Sequence, residues 1–251
     1  MKKTMSCILS FCCLLSINLS AQDYQKNIDN ALVEITQNKS MERINAIVNE
    51  LEQAPQNQGL IVYWKAYAKY KQVIAYQDLH GNDKATKKLC AKILAEATKD
   101  LEALQQKNSD DYALLSLIKN LSVSYAPTLK IPGLSTAAKK DAQLAIKADT
   151  ANIRAYVAAG IQDYYTPALY GGGSKFESYF HKALSLPDQT QDNPYLPSWG
   201  REDAYVYLFL HYYKQTQYDK AVAYIVEALE YYPQSPRLLN LSAQLKQYGL
   251  L

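Results

Sequence analysis

Cysteine is nearly absent once the start of the chain is set aside. The 251 residues hold four cysteines, and three of them, Cys7, Cys12 and Cys13, fall within the first 13 positions. Residues 1–21 read as a secretory signal peptide. Lys2 and Lys3 give a positive start, Ile8 to Leu19 is an apolar run, and Leu19-Ser20-Ala21 precedes Gln22 as the expected cleavage site. The apolar run is shorter than the ~20 residues that span a bilayer. Cleavage after Ala21 leaves Cys90 alone, which excludes an internal disulfide even in an oxidising compartment. A lipid anchor on Cys12 is the alternative, with the bulky Phe11 standing where a small residue is expected. Export to the periplasm or beyond is the expectation either way.

An excess of one charge is also lacking. Without Lys2 and Lys3 the 27 basic residues become 25, against 24 acidic ones, a net charge close to +1. A near-neutral surface argues against nucleic acid, which needs a basic face. No second apolar run approaches membrane length, so stable membrane insertion is not expected. Catalytic chemistry is missing as well. The three histidines, His80, His181 and His211, stand in no metal-ligating spacing. There is no GxSxG elbow and no convincing strand to carry one. Cys90 lies in an amphipathic stretch and reads as a buried structural thiol. The expectation is a protein with no cofactor, no metal and no enzymatic activity.

What the chain has is helical periodicity and tyrosine, 22 of them. The clearest unit is residues 202–235, EDAYVYLFLHYYKQTQYDKAVAYIVEALEYYPQS. Tyr205, Leu208 and Tyr212 recur at steps of three and four, which places them on one helix face. Ala221 and Ala228, seven apart with Ile225 between, leave room for a partner helix, and Pro233 closes the unit. This 34-residue pattern resembles a tetratricopeptide repeat, with Phe209 standing where that family has a small residue. The resemblance implies an all-α, TPR-like helical solenoid. Residues 22–251 would form one such domain, of about five helix hairpins plus a C-terminal capping helix near 235–248.

The rest of the chain can be measured against that unit. Ile28, Ala31, Leu32 and Ile35 mark a helix over 23–38, and Ser40 reads as the cap of a second helix ended by Pro55. Tyr63, Tyr67 and Tyr70 mark a third helix, with a turn at Gly81 and a cap at Asp83. A long helix to about Lys107 is predicted to overhang the stack. Asn108 to Asp111 caps the next helix, and Ser235 with Pro236 opens the last. Arg237, Asn240, Gln244 and Lys246 are expected to face water there. Between Pro187 and Trp199 lies a polar, proline-containing connection.

Two units depart from the pattern together. YAPTL from Tyr125 matches YTPAL from Tyr165, an internal duplication with a 40-residue offset. Pro127 and Pro167 are predicted to stop their helices early, and Gly133 and Gly171 to Gly173 to permit the turns that follow. Over 109–187 this pattern resembles secreted or periplasmic repeat proteins related to the T component of TRAP transporters. That likeness implies delivery of a small ligand to a membrane transporter. The run Gly171-Gly172-Gly173-Ser174-Lys175 either cradles an anion on free backbone N–H groups or, the reading preferred, forms a bend that lets its hairpin close. Tyrosines outside the repeat core either line a groove or pack around the two loops.

The candidate binding residues are therefore Tyr125, Pro127, Tyr164, Tyr165, Pro167, Tyr170, Gly171, Gly172, Gly173, Trp199, Tyr207 and Tyr213. The expected function is a non-catalytic scaffold whose concave, tyrosine-rich face holds a protein segment or a small apolar ligand.

Overall fold

Five times the chain runs out along one helix and back along the next, and an eleventh helix closes the stack. The structure, a computed structural model, describes residues 24–55, 58–81, 83–189, 193 and 195–251. The signal-peptide reading of residues 1–21 lies outside them. Among the described residues there is no strand. The hairpins are α1 (Tyr24–Asn38) with α2 (Glu42–Gln53), α3 (Gly59–His80) with α4 (Lys84–Glu102), and α5 (Ser109–Ser122) with α6 (Ile131–Ala148). They continue with α7 (Ile153–Tyr165) and α8 (Phe176–Ser185), then α9 (Arg201–Lys214) and α10 (Tyr218–Tyr231). Helix α11 (Pro236–Gln247) covers the last hairpin. The fold is thus an all-α solenoid-like stack. Each helix packs on its successor, and α1, α3, α5, α7 and α9 also touch one another in series.

Local chemistry sets several helix ends. Asp83 accepts from the backbone N–H groups of Ala85 and Thr86 at 2.8 and 3.1 Å and starts α4. Asn108 and Asp111 form a reciprocal capping box at α5. The Ser235 hydroxyl accepts from Leu238 N–H, with Pro236 at the first position of α11. Gly81 ends α3 at φ +66°, where an L side chain is disfavoured. At α2 the N-cap is Met41 rather than Ser40, although the Ser40 hydroxyl still accepts from Glu42 N–H at 3.3 Å. Helix α4 stops at Glu102, short of Lys107. The Lys107 ammonium bonds the carbonyls of Glu102 and Leu104 at 2.9 and 2.6 Å, folding the segment back where an overhang was predicted.

The duplicated turns open alike. Pro127 and Pro167 have φ/ψ of −57°/143° and −58°/146°, and each is followed by one 3-10 turn, at 128–130 and 168–170. They diverge after that. The first turn runs straight into α6, so Gly133 lies inside a helix and makes no turn. The second is broken by Gly171 and Gly173, both at φ +77°.

The core is small residues facing large ones. Ala138, Ala142 and Ala145 of α6 are buried against α5, and Ala221 and Ala228 of α10 against α9. Gly160 of α7 lies against the ring of Phe180. Buried lysines stitch neighbouring helices: Lys119 of α5 reaches Asp141 of α6 at 2.8 Å and Glu102 of α4 at 2.7 Å. Lys69 of α3 bridges Glu52 and Glu96 in the same manner, at 2.7 and 3.2 Å.

The connection between α8 and α9 is not a plain surface loop. Trp64 of α3 donates its indole N–H to the Tyr195 carbonyl at 2.6 Å. Trp199 donates its own to the Tyr63 hydroxyl at 2.8 Å, and Ser198 N–H reaches Gln25 of α1 at 2.9 Å. The segment therefore returns as a strap to the first two hairpins. Its rings join an aromatic cluster with Tyr24, Trp64 and Tyr67. At its start Gln189 clamps the beginning of α7, accepting from Ile153 N–H and donating to the Ala151 carbonyl.

Candidate functional site

Beside that strap lies an open cavity of about 500 Å³. Its walls come from the first helices of the hairpins, the face a stack of this kind turns inward. Helix α3 supplies Tyr67, Tyr70, Lys71 and Ile74, α1 supplies Leu32 and Ile35, and α9 supplies Asp203 and Tyr207. Trp199 of the strap and Arg237 of α11 complete it. It opens into a wider groove of about 1060 Å³ between α1, α9 and α11. Both volumes are within or near the ordinary range for a small-molecule site.

The wall is aromatic with a charged rim. Tyr67 and Trp199 stack with ring centroids 5.5 Å apart and planes 23° from parallel. Tyr207 packs on Phe180, Tyr164 and Tyr165. Burial holds the Tyr67, Tyr70 and Tyr207 phenols well above the usual tyrosine range, so all three stay protonated. On the rim Arg237 donates to Asp203 at 2.7 Å. Burial would raise the Asp203 carboxyl, but Lys71 and Arg237 outweigh it and leave that group below its ordinary value. Asp29 is exposed to solvent at the groove's edge, yet crowding by the facing helices pushes its carboxyl up to about 6, with Asp203 and Glu202 adding to the rise and Lys71 opposing it. Asp29 belongs to α1 and its two acidic neighbours to α9, so the two ends of the stack face each other across the groove.

The sequence candidates divide three ways. Trp199 and Tyr207 line the cavity. Tyr164 and Tyr165 stand behind Tyr207, and Lys214 donates to the Tyr164 hydroxyl at 2.9 Å. The others lie apart from the cavity walls. The Tyr125 hydroxyl donates to Gln77 at 2.9 Å near the buried Cys90, and Tyr213 packs on Phe209 and Tyr218. Pro127, Pro167 and Tyr170 are exposed on the duplicated turns. Gly171 to Gly173 form the bend. A Cβ on Gly172 would fall 2.2 Å from the Thr166 carbonyl. The amides at the α8 N-terminus already have an anion, since Asp163 accepts from Lys175 and Phe176 N–H at 2.7 and 2.9 Å.

Sequence reading missed the charged rim. Arg237 is exposed, as expected, and its guanidinium also donates to Asp203 of α9 at 2.7 Å. One signal was available: Asp203 and Arg237 are 34 residues apart, one full repeat. Among the described residues no cluster of His, Cys, Asp and Glu is placed to hold a metal ion. No helix among them is long and apolar enough to cross a membrane.

No family model and no curated protein sequence matches the chain. Among solved structures it is similar to the HusA haemophore from Porphyromonas gingivalis, at 19% identity and a TM-score of 0.50, over 72% of this chain and 89% of that one. At that identity the likeness concerns the fold.

Proposed function

We propose that the protein is an exported, non-catalytic binding protein that carries a flat, apolar small ligand in the cavity beside the strap. One observation carries the reading. Tyr67, Tyr70, Trp199 and Tyr207 line one cavity, with Tyr67 and Trp199 stacked, and Lys71 and Arg237 stand at its rim to meet an acidic substituent. A tetrapyrrole has that shape and chemistry, and the structure with a similar fold is a haemophore, which makes haem the first ligand to test. The linings contain no His, Cys or Met, and burial keeps Tyr67, Tyr70 and Tyr207 protonated. A porphyrin would therefore be held by stacking and by its carboxylates, without a bond from the protein to iron.

The test is titration of the purified protein with haemin and with iron-free protoporphyrin, followed by quenching of Trp199 fluorescence. The expected result is comparable micromolar or tighter affinity for both, weakened at least tenfold by Tyr207→Ala. No binding of either ring, or binding untouched by Tyr207→Ala and Tyr70→Ala, sinks the reading. The turns that carried the likeness to TRAP T components lie at the edge of the stack, outside this cavity.

A further inference from the structure

The duplicated turns end in side chains that nothing in the stack covers. Leu129 is 93% exposed, Leu169 87% and Tyr170 70%, among the most open large apolar side chains described. Burial drives folding, and a leucine this open contributes nothing to it. The two turns share one opening, a proline and a 3-10 turn, 40 residues apart. They follow α5 and α7, which run side by side in the same direction, so both tips project from one edge.

That edge is also the basic one. It comprises the turns after α3, α5, α7 and α9, with the first turn of each following helix. These segments, 80–87, 122–134, 165–179 and 214–221, hold six basic and three acidic residues. Lys130 is next to Leu129, and Lys175 follows the Leu169 turn. Lys84, Lys87 and Lys214 flank them, all exposed. The opposite edge is the reverse. Among the described residues of 102–112, 148–156, 185–204 and 231–239 there are seven acidic and four basic residues. The protein is electrically polar along its helices, although its formal net charge is only +3.

We propose that this edge is a peripheral docking surface for an anionic phospholipid bilayer, with Leu129, Leu169 and Tyr170 entering the headgroup layer. Lysines beside isolated apolar tips suit a fluid negative surface, where charge attracts and single side chains insert. Tyrosine at such a boundary keeps its ring in the apolar layer and its hydroxyl in water. A protein partner of matching shape would call for a concave or continuous apolar patch, and the tips are separate points on narrow turns. The cavity is lined by other residues, so docking leaves it open.

The experiment is co-sedimentation of the purified protein with vesicles of phosphatidylglycerol and phosphatidylethanolamine, against vesicles of phosphatidylcholine alone. Partition is expected on the anionic vesicles only, weakening as salt is raised. The double variant Leu129→Asp, Leu169→Asp should lose it at least tenfold while keeping wild-type circular dichroism, since neither side chain is buried. A Leu169→Trp reporter should shift its emission to the blue on anionic vesicles. Absence of partition, equal partition on neutral vesicles, or full partition by the double variant overturns the proposal. So does capture of a soluble protein through Leu129 and Leu169 in vesicle-free solution without any partition on vesicles.

Discussion

Gly160 of α7 lies directly beneath the Phe180 ring of α8, so close that a Cβ at position 160 would sit 2.5 Å from Phe180 Cε1. The absent side chain is what allows α7 and α8 to approach. Gly160→Ala should therefore destabilise the protein by about 1–3 kcal/mol, the usual cost of overpacking. Adding Phe180→Leu should recover part of that loss. Chemical denaturation of the two single variants and the double measures the coupling, and strict additivity would show that the contact is unimportant.

The Lys119–Asp141 pair gives a second prediction. Both side chains are about one-tenth exposed, and Glu102 supplies a further anion at 2.7 Å. Asp141→Ala leaves the lysine with half its partners in a poorly hydrated place, and should cost about 3 kcal/mol. Replacing both with apolar residues of similar volume, Lys119→Met with Asp141→Leu, should cost less than the single change. Thermal melts of the three variants decide it.

Asp29 predicts a pH effect whose sign can be worked out. Its carboxyl is raised to about 6 in the folded chain from an ordinary 3.8. The folded state holds this proton more readily, so an unfavourable contribution exists above about pH 6 and is relieved as pH falls toward 4. Asp29→Asn should raise the melting temperature at pH 7 and leave it nearly unchanged at pH 4. A carboxylate-bearing ligand at the Lys71 and Arg237 rim should bind several-fold tighter at pH 5.5 than at 7.5. The same substitution should reduce that difference.

Trp199 offers a test of the strap. Trp199→Phe keeps most of the ring and removes the 2.8 Å bond to the buried Tyr63 hydroxyl. The expected loss is about 1–3 kcal/mol. Trp199→Ala also opens a hole beside Tyr67 and should cost about 3–5 kcal/mol. Urea unfolding ranks them, and an alanine variant as stable as wild type would mean the strap is not anchored there.

The hairpin architecture was legible in the sequence because it is written locally. Asp83, Asn108 with Asp111, and Ser235 each act on amides two or three residues away, and Pro127 and Pro167 act on their own turns. Alanine spacing on α6 and α10 reports a face, which is also local. The strap was illegible for the opposite reason. Tyr195 and Trp199 bond to Trp64 and Tyr63, more than 130 positions earlier. No periodicity encodes a pairing at that distance. The cavity suffered likewise: Tyr67 and Tyr70 were read as repeat core, which is where they stand, but what faces them is decided by the strap and by α11. The candidate tyrosines near the duplicated turns mark an edge of the stack, and only Tyr207 and Trp199 reach the cavity.

A stack in which each hairpin touches only its neighbours can fray from either end, one unit at a time. The strap removes that freedom. By tying the segment before α9 to α1 and α3, it makes the loss of the fourth hairpin also a loss for the first and second. Unfolding should then be one cooperative event, with amides of α3 and α7 exchanging hydrogen at a common, global rate. In Trp199→Ala those two groups should separate, with the ends opening ahead of the middle. Closure of the strap also demands contacts of high sequence separation, which places it late in folding and slows an otherwise local process. The chain thus folds as a series of neighbours and unfolds as a ring.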